Sequence, residues 1–274
     1  MGLARSTYYY KPKIDPKVKE QQDLDLRDRI EEIQAEFPGY GYRRVQQELK
    51  RRGETINTKR VRRVMKLYQL RPLMWGRQVQ ATAAQQQFRP YPNRIKFQRV
   101  TGLNQVWVAD ITYIRIRHSF VYLAAILDVY SRKVVGWALS DQIDRRLCLD
   151  ALHMAIRDRS FQPDCIHHSD QGAQYRSLDY LDLLKTYRFK ISMSAKAQPG
   201  ENAFIESFFK TVKYEEVHLW DYQTYQDVLE RIPYFIGEVY NQKRLHSAIG
   251  YIPPIEFEQL VHSKHAVQHD LFIR

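Results

Sequence analysis

Three apolar, β-branched runs stand within residues 106–140, separated only by tight turns: VWVADITYIRI (106–116), FVYLAAILDVYS (120–131) and KVVGWALS (133–140). They read as an antiparallel meander. The next segments alternate. Leu147, Ala151, Met154 and Ala155 mark a helix at about 145–159, and CIHHSD (165–170) reads as a short strand. SLDYLDLLKTYR (177–188) then reads as a helix and FKISMS (189–194) as a last strand. A meander followed by alternating helix and strand predicts an α/β fold, a mixed five-stranded sheet with helices on its faces.

The stretch QPGENAFIESFFKTVKYEE (198–216) reads as a helix entered through the breaker pair Pro199-Gly200. Ile205, Phe208, Phe209 and Val212 recur at helical spacing and form an apolar stripe. Asn202, Glu206, Lys210 and Lys213 form a polar face beside it. Taken alone, that face is an ordinary solvated Glu/Lys surface. A carboxylate flanking a core-facing stripe is also where a catalytic acid on a packed helix would sit.

Two aspartates decide between these readings. Asp110 lies mid-strand among Trp107, Val108 and Ile111, where an ionised carboxylate is costly unless paired or bound to a cation. Asp170 ends a short strand before Gln171-Gly172, the place where α/β sheets present ligand-contacting groups, although an ordinary turn would use the same residues. Asp110, Asp170 and Glu206 are hard oxygen donors without a Cys or His cluster, which suits Mg²⁺ or Mn²⁺ rather than zinc. Two such ions suit phosphodiester cleavage, activating a water or sugar hydroxyl and stabilising the leaving oxygen. Asp128, at a hairpin, reads as structural, and His167 and His168 read as packing or supporting groups.

Charge divides the chain. Of 43 Lys/Arg and 31 Asp/Glu, residues 1–100 hold 23 and 10, a net of +13, whereas the remainder is at −1. A basic arm on a near-neutral domain points to a polyanion, with nucleic acid ahead of a membrane surface. Residues 1–22 form a basic segment in which Pro12 and Pro16 read as breakers. Residues 23–70 read as three helices, with Leu24, Leu26, Ile30, Ile33 and Phe37, then Val45 and Leu49, then Val61, Val64, Met65 and Tyr68 inward. Lys59, Arg60, Arg62, Arg63 and Lys66 cover the outside of the third, and Arg43 and Arg44 open the second. Two short helices in succession with a basic last one resemble a helix-turn-helix facing DNA, although a helical bundle with a basic solvent face would show the same pattern. A basic linker follows at 71–104, the sheet domain spans 105–220, and a helical extension and tail spans 221–274, with Pro233 a candidate break in its helix. No run approaches the ~18 apolar residues of a membrane helix. The chain reads as cytoplasmic, and the two cysteines, Cys148 and Cys165, suggest neither a zinc site nor a disulfide framework.

WVADITYI, HHSDQGAQY, ENAFIESFFKTVKYE and YNQKRLHSAIGYIPPIEF together resemble bacterial insertion-sequence transposases of the DDE, retroviral-integrase-like superfamily. The resemblance runs over about residues 24–258. The 35 residues between Asp170 and Glu206 match that class's spacing. It implies a ribonuclease H-like core with Asp110, Asp170 and Glu206 as a metal triad. The implied reaction is magnesium-dependent cleavage at element ends, followed by 3′-OH strand transfer. The resemblance places YGYRRVQQEL and TKRVRRVMK in the DNA-binding module ahead of that core. Lys196, Lys210 and Lys213 are the expected DNA contacts near the cut, and Asn202 is expected to orient either Glu206 or the DNA. It further implies element-end and target DNA as partners, an oligomer on DNA, association with the nucleoid, and an upstream-frame product that this chain resembles the sequel to. The rival readings are a DNA-binding regulator with an inactive core and a plain metal nuclease.

Overall fold

Pro16 opens a helix rather than ending one. A proline at the first helical position loses nothing, because the amide it lacks would have no intrahelical partner. In this computed structural model, which describes residues 16–73, 91–159, 163–195, 199–263 and 271–272, helix α1 runs Pro16–Glu36, seven residues ahead of its expected start. The chain divides into two units, Met1–Met74 and Trp75–Arg274.

In the first unit, α1 is followed by α2 (Tyr42–Arg51) and α3 (Thr58–Leu67). Leu26, Ile30, Ile33, Val45, Leu49, Val61 and Val64 are fully buried among them. Phe37 stacks on Tyr40 where the chain turns out of α1, with ring centroids 4.6 Å apart. Gly53, at φ +89°, closes α2 in the left-handed region that a glycine enters without steric penalty. The Asn57 side chain accepts the Lys59 amide at 2.8 Å and caps α3.

The second unit is built on strands β1 (Val106–Arg115), β2 (Phe120–Asp128), β3 (Val134–Ser140), β4 (Ile166–Ser169) and β5 (Lys190–Met193), in spatial order β3-β2-β1-β4-β5. The first three are antiparallel, and β4 and β5 add in parallel, as the alternation predicts. Side chains alternate across the sheet. Val106, Val108 and Ile114 join the core on one face, whereas Trp107 and Ala109 join that on the other. Because both faces are covered, the strands read as continuous apolar runs.

Helices α4 (Arg145–Asp158) and α5 (Leu178–Thr186) belong to the Trp107 face. Helix α4 lies so close to β3 that a Cβ on Gly136 would strike the Ala151 carbonyl and come within 2.7 Å of the Ala155 Cβ. Helix α6 (Ala203–Glu215) covers the other face, with Ile205, Phe208, Phe209 and Val212 all buried. A 3₁₀ turn (Val217–Leu219) leads to α7 (Tyr225–Tyr234), which starts on a Thr224/Asp227 capping box. Pro233 does not break the chain's path. The helix continues as a wider π-helical segment, Phe235–Lys243, and α8 (Pro254–His262) follows.

Residues 91–104 differ from the expected linker. Ile95 and Val100 are buried in the core, and the backbone N–H of Arg94 donates to Ser192 Oγ at 2.8 Å. Arg99–Val100 also pairs antiparallel with Leu271–Phe272. The polar and basic residues of this stretch disguise two apolar anchors spaced too far apart to show a period. Among the described residues no helix is long and apolar enough to cross a membrane.

Candidate active site

Strand β4 runs beside β1 in register Trp107↔His167 and Val108↔His168. Continuing by two residues sets Asp110 level with Asp170, on neighbouring strands. Asp110 is half-buried in β1, while Asp170 stands exposed just past the end of β4. The Asp170 Oδ1 accepts the Gly172 amide at 2.9 Å, and a Cβ on Gly172 would press on that same oxygen. A glycine two residues past the aspartate therefore lets the turn close on its carboxylate.

Glu206 arrives from the opposite direction. Asn202 occupies the N-cap of α6 but makes no capping bond. Instead its Nδ2 donates 3.2 Å to the Ala109 carbonyl, adjoining Asp110. Asn202 is buried, and its amide ties the start of α6 to β1, which suits the orienting role expected of it toward Glu206. Glu206 lies one helical turn on, 25% exposed, with Oε2 3.9 Å from Lys210 Nζ.

Asp110 feels the charge of both other carboxylates. Asp110 is pushed up to about 7, first by burial and then by the negative charges of Asp170 and Glu206. The Ile111 amide and the Lys213 ammonium pull it the other way. Lys213 is held below its usual range by desolvation, and its Nζ lies 4.7 Å from the centre of the Tyr113 ring. Lys213 thus interacts with Asp110, whereas Lys210 is largely exposed beside Glu206. Lys196 lies outside the described residues.

The three carboxylates offer the all-oxygen donor set of a hard divalent cation, and their mutual repulsion is what such a cation relieves. Among the described residues, however, no three His, Cys, Asp or Glu side chains stand close enough together to hold an ion as they are. The neighbouring histidines serve packing. His167 Nε2 meets the Tyr180 hydroxyl at 3.0 Å and His168 Nδ1 the Ser192 hydroxyl at 2.8 Å. Burial holds both neutral, His167 down to about 3 and His168 to about 4. Asp128 is fully buried, takes the amides of Tyr130, Ser131 and Asn104, and lies 3.5 Å from Arg159, so it is structural.

In the first unit, Lys59, Arg62 and Lys66 of α3 are exposed. Arg60 and Arg63 instead reach the buried Asp23 of α1, at 3.2 and 2.8 Å. The five cations are thus not left to repel one another, because a carboxylate 37 residues upstream of Arg60 neutralises part of their charge. Arg43 and Arg62 lie against the Tyr42 ring, and Arg44 against that of Tyr40.

Reading the sequence missed Tyr113 beside Lys213 and Arg159 beside Asp128. Neither contact leaves a local signal, since each joins residues that only the fold brings together.

The chain is similar to known proteins along most of its length. Residues 101–199 and 187–254 each match an integrase core domain family, and residues 20–77 match an HTH-like domain family. An insertion element IS600 31 kDa protein of Shigella sonnei is 34% identical over 95% of this chain and 97% of its own. The transposase for insertion sequence element IS904 of Lactococcus lactis is 34% identical over 85% and 93%. Among solved structures, a simian T-cell lymphotropic virus intasome chain covers 77% of this chain and 69% of its own, at 14% identity and a TM-score of 0.47. With relatives of that identity along almost its full length, and an HTH-like domain ahead of an integrase core, the chain belongs to the insertion-sequence transposases.

Proposed function

We propose that this transposase cuts DNA at the ends of its element and joins the freed 3′-OH to a second DNA site, with Asp110, Asp170 and Glu206 as its catalytic metal ligands. The observation that carries this reading is the β1/β4 register, which levels Asp110 with Asp170 while the Asn202–Ala109 bond ties the helix bearing Glu206 to the same strand. Divalent cations, two in the reading favoured here, supply Lewis acidity and a lowered pKa for the attacking hydroxyl when bound. The chain's own residues supply the rest. The buried stripe of α6 fixes Glu206 against the sheet. Lys213 brings positive charge beside the carboxylates, where the scissile phosphodiester has to lie.

In the first step water attacks the phosphorus, a new P–O bond forms, and the old one breaks to free a 3′-OH. In the second, that hydroxyl attacks another phosphodiester, so one P–O bond again replaces another and no nucleotide cofactor is consumed. No side chain is needed as a covalent nucleophile. Lys59, Arg62 and Lys66 carry the exposed charge of the HTH-like domain and are the proposed phosphate contacts there. Two element ends must be held together, so a homo-oligomer on DNA is part of the proposal.

Incubation with a labelled element-end duplex and Mg²⁺ tests it. Nicked and joined products are expected from the natural chain. An Asp170→Asn variant is expected to bind the end and produce neither. Binding without nicking by the natural chain would indicate a regulator, and wild-type strand transfer by Asp170→Asn would remove Asp170 from the triad.

A further inference from the structure

Strand β1 pairs with β4 only over Val106–Val108, so beyond Asp110 it projects past the end of its parallel neighbour while remaining paired to β2. Below that projection lies a groove of about 1390 Å³, bounded by the β1–β2 hairpin and by the chain that leaves α6. Its volume exceeds the ~300–1,000 Å³ of small-ligand sites and suits a length of polymer. Lys213 lines it, as does Tyr113 beneath the Lys213 ammonium, so the groove begins where the carboxylates end.

Its lining is unusual for solvent-facing surface. Tyr113 is 53% exposed, Phe120 43% and Trp220 49%. Tyr113 and Phe120 meet edge to face with centroids 5.4 Å apart. Trp220 is held from one side by the Arg231 guanidinium at 3.5 Å, which is in turn fixed by Glu216. Arg115 and Arg117 stand exposed on the hairpin with no carboxylate partner among the described residues. Asp221 is the one acidic side chain among the lining residues.

Exposed aromatic rings interleaved with unpaired cations match a chain that carries both phosphates and stackable faces. A duplex presents phosphates but keeps its bases stacked on one another, so the rings would gain nothing from it. We propose that this groove is a binding site for unpaired nucleotides, taking the single-stranded DNA next to the cut on Trp220, Phe120 and Tyr113, with Arg115 and Arg117 on its phosphates. The proposal rests on the assignment of DNA cleavage to the adjoining carboxylates, and it adds that the strand is melted where it leaves them.

Binding of the full chain to a labelled dT12 oligonucleotide and to a blunt duplex of random sequence tests the groove, with Trp220→Ala/Phe120→Ala and Arg115→Ala/Arg117→Ala variants whose folding is checked by circular dichroism. The aromatic pair is expected to weaken dT12 binding by about tenfold to a hundredfold and to leave duplex binding unchanged. The arginine pair is expected to lower the salt dependence of dT12 binding, by a slope of ~0.7 per lost phosphate contact. Unchanged dT12 affinity in the aromatic variant, equal losses on duplex, or displacement of dT12 by a poly-glutamate peptide as readily as by unlabelled dT12 would each overturn the proposal. The parallel cleavage assay separates the two assignments. Cleavage with an inert groove refutes this inference alone, and a stacking groove without any cleavage refutes the catalytic assignment alone.

Discussion

Asp110→Asn is expected to make the metal-free protein more stable at pH 8 while abolishing its cleavage of DNA. The folded-state carboxyl is displaced from 3.8 to about 7 by burial and by Asp170 and Glu206. A folded pKa above the unfolded one means the native state holds a proton that the unfolded chain has released. Stability therefore falls as pH rises through the window from about 4 to 7, and it is flat with respect to this group above that. At 1.36 kcal/mol per pKa unit the full displacement corresponds to about 4 kcal/mol, and solvent screening of a half-buried group brings the expected gain to ~1–3 kcal/mol. An asparagine is neutral at every pH and escapes the penalty. Urea denaturation in the presence of EDTA, compared between variant and natural chain at pH 4.5, 6 and 8, measures it. The gap is expected to open with pH and then level off. Adding Mg²⁺ is expected to stabilise the natural chain at pH 8 and to close the gap, because a ligand of the native state alone shifts folding by mass action. If Asp110→Asn were less stable than the natural chain at pH 8 without metal, the folded state would not displace this carboxyl upward, and the reasoning from its burial and its two acidic neighbours would be wrong.

Other perturbations act on the scaffold and the approach to it. Gly136→Ala is expected to destabilise the core unit by about 3 kcal/mol or more in urea titrations, since the added methyl meets the backbone of α4 rather than a flexible side chain. Arg159→Ala leaves Asp128 and Glu258 buried without the guanidinium that lies 3.5 and 2.6 Å from them, and is expected to cost ~3–5 kcal/mol by the same measurement. Asn202→Asp sets a carboxylate oxygen against the Ala109 carbonyl and shifts the start of α6. Cleavage is expected to fall by about a hundredfold while end binding is kept. Alanine at Lys59, Arg62 and Lys66 is expected to reduce the salt slope of duplex binding by ~0.9 per phosphate contact without altering stability. Alanine at Arg60 and Arg63 together is expected to lower the stability of the first unit, because Asp23 then stays buried without a cation.

The helices of the first unit, the meander and the stripe on α6 were legible because each rests on a period of a few residues, and a period is a property of neighbours in the chain. The same holds for Asp110 within an apolar strand and for Asp170 before a turn, whose environments are written in the adjacent residues. The spacing to Glu206 came from resemblance to a family, not from any local pattern. What could not be read is what lies across the fold. Pro16 gave the wrong sign, since the same ring that ends a helix also starts one, and only the position in the helix decides which. Residues 91–104 looked like a linker because their two apolar anchors, Ile95 and Val100, have partners in the core rather than beside them.

The sequence by itself therefore determined which segments form strands and helices, and which carboxylates are costly where they stand. The tertiary structure alone decided the partners: that Arg60 and Arg63 hold Asp23, that Asn202 holds β1, and that Lys213 meets Tyr113 at the hairpin end of β1. The reason is physical. Secondary structure follows from interactions a few residues apart, whereas the energy of a charge or a polar side chain depends on whatever the folded chain places beside it.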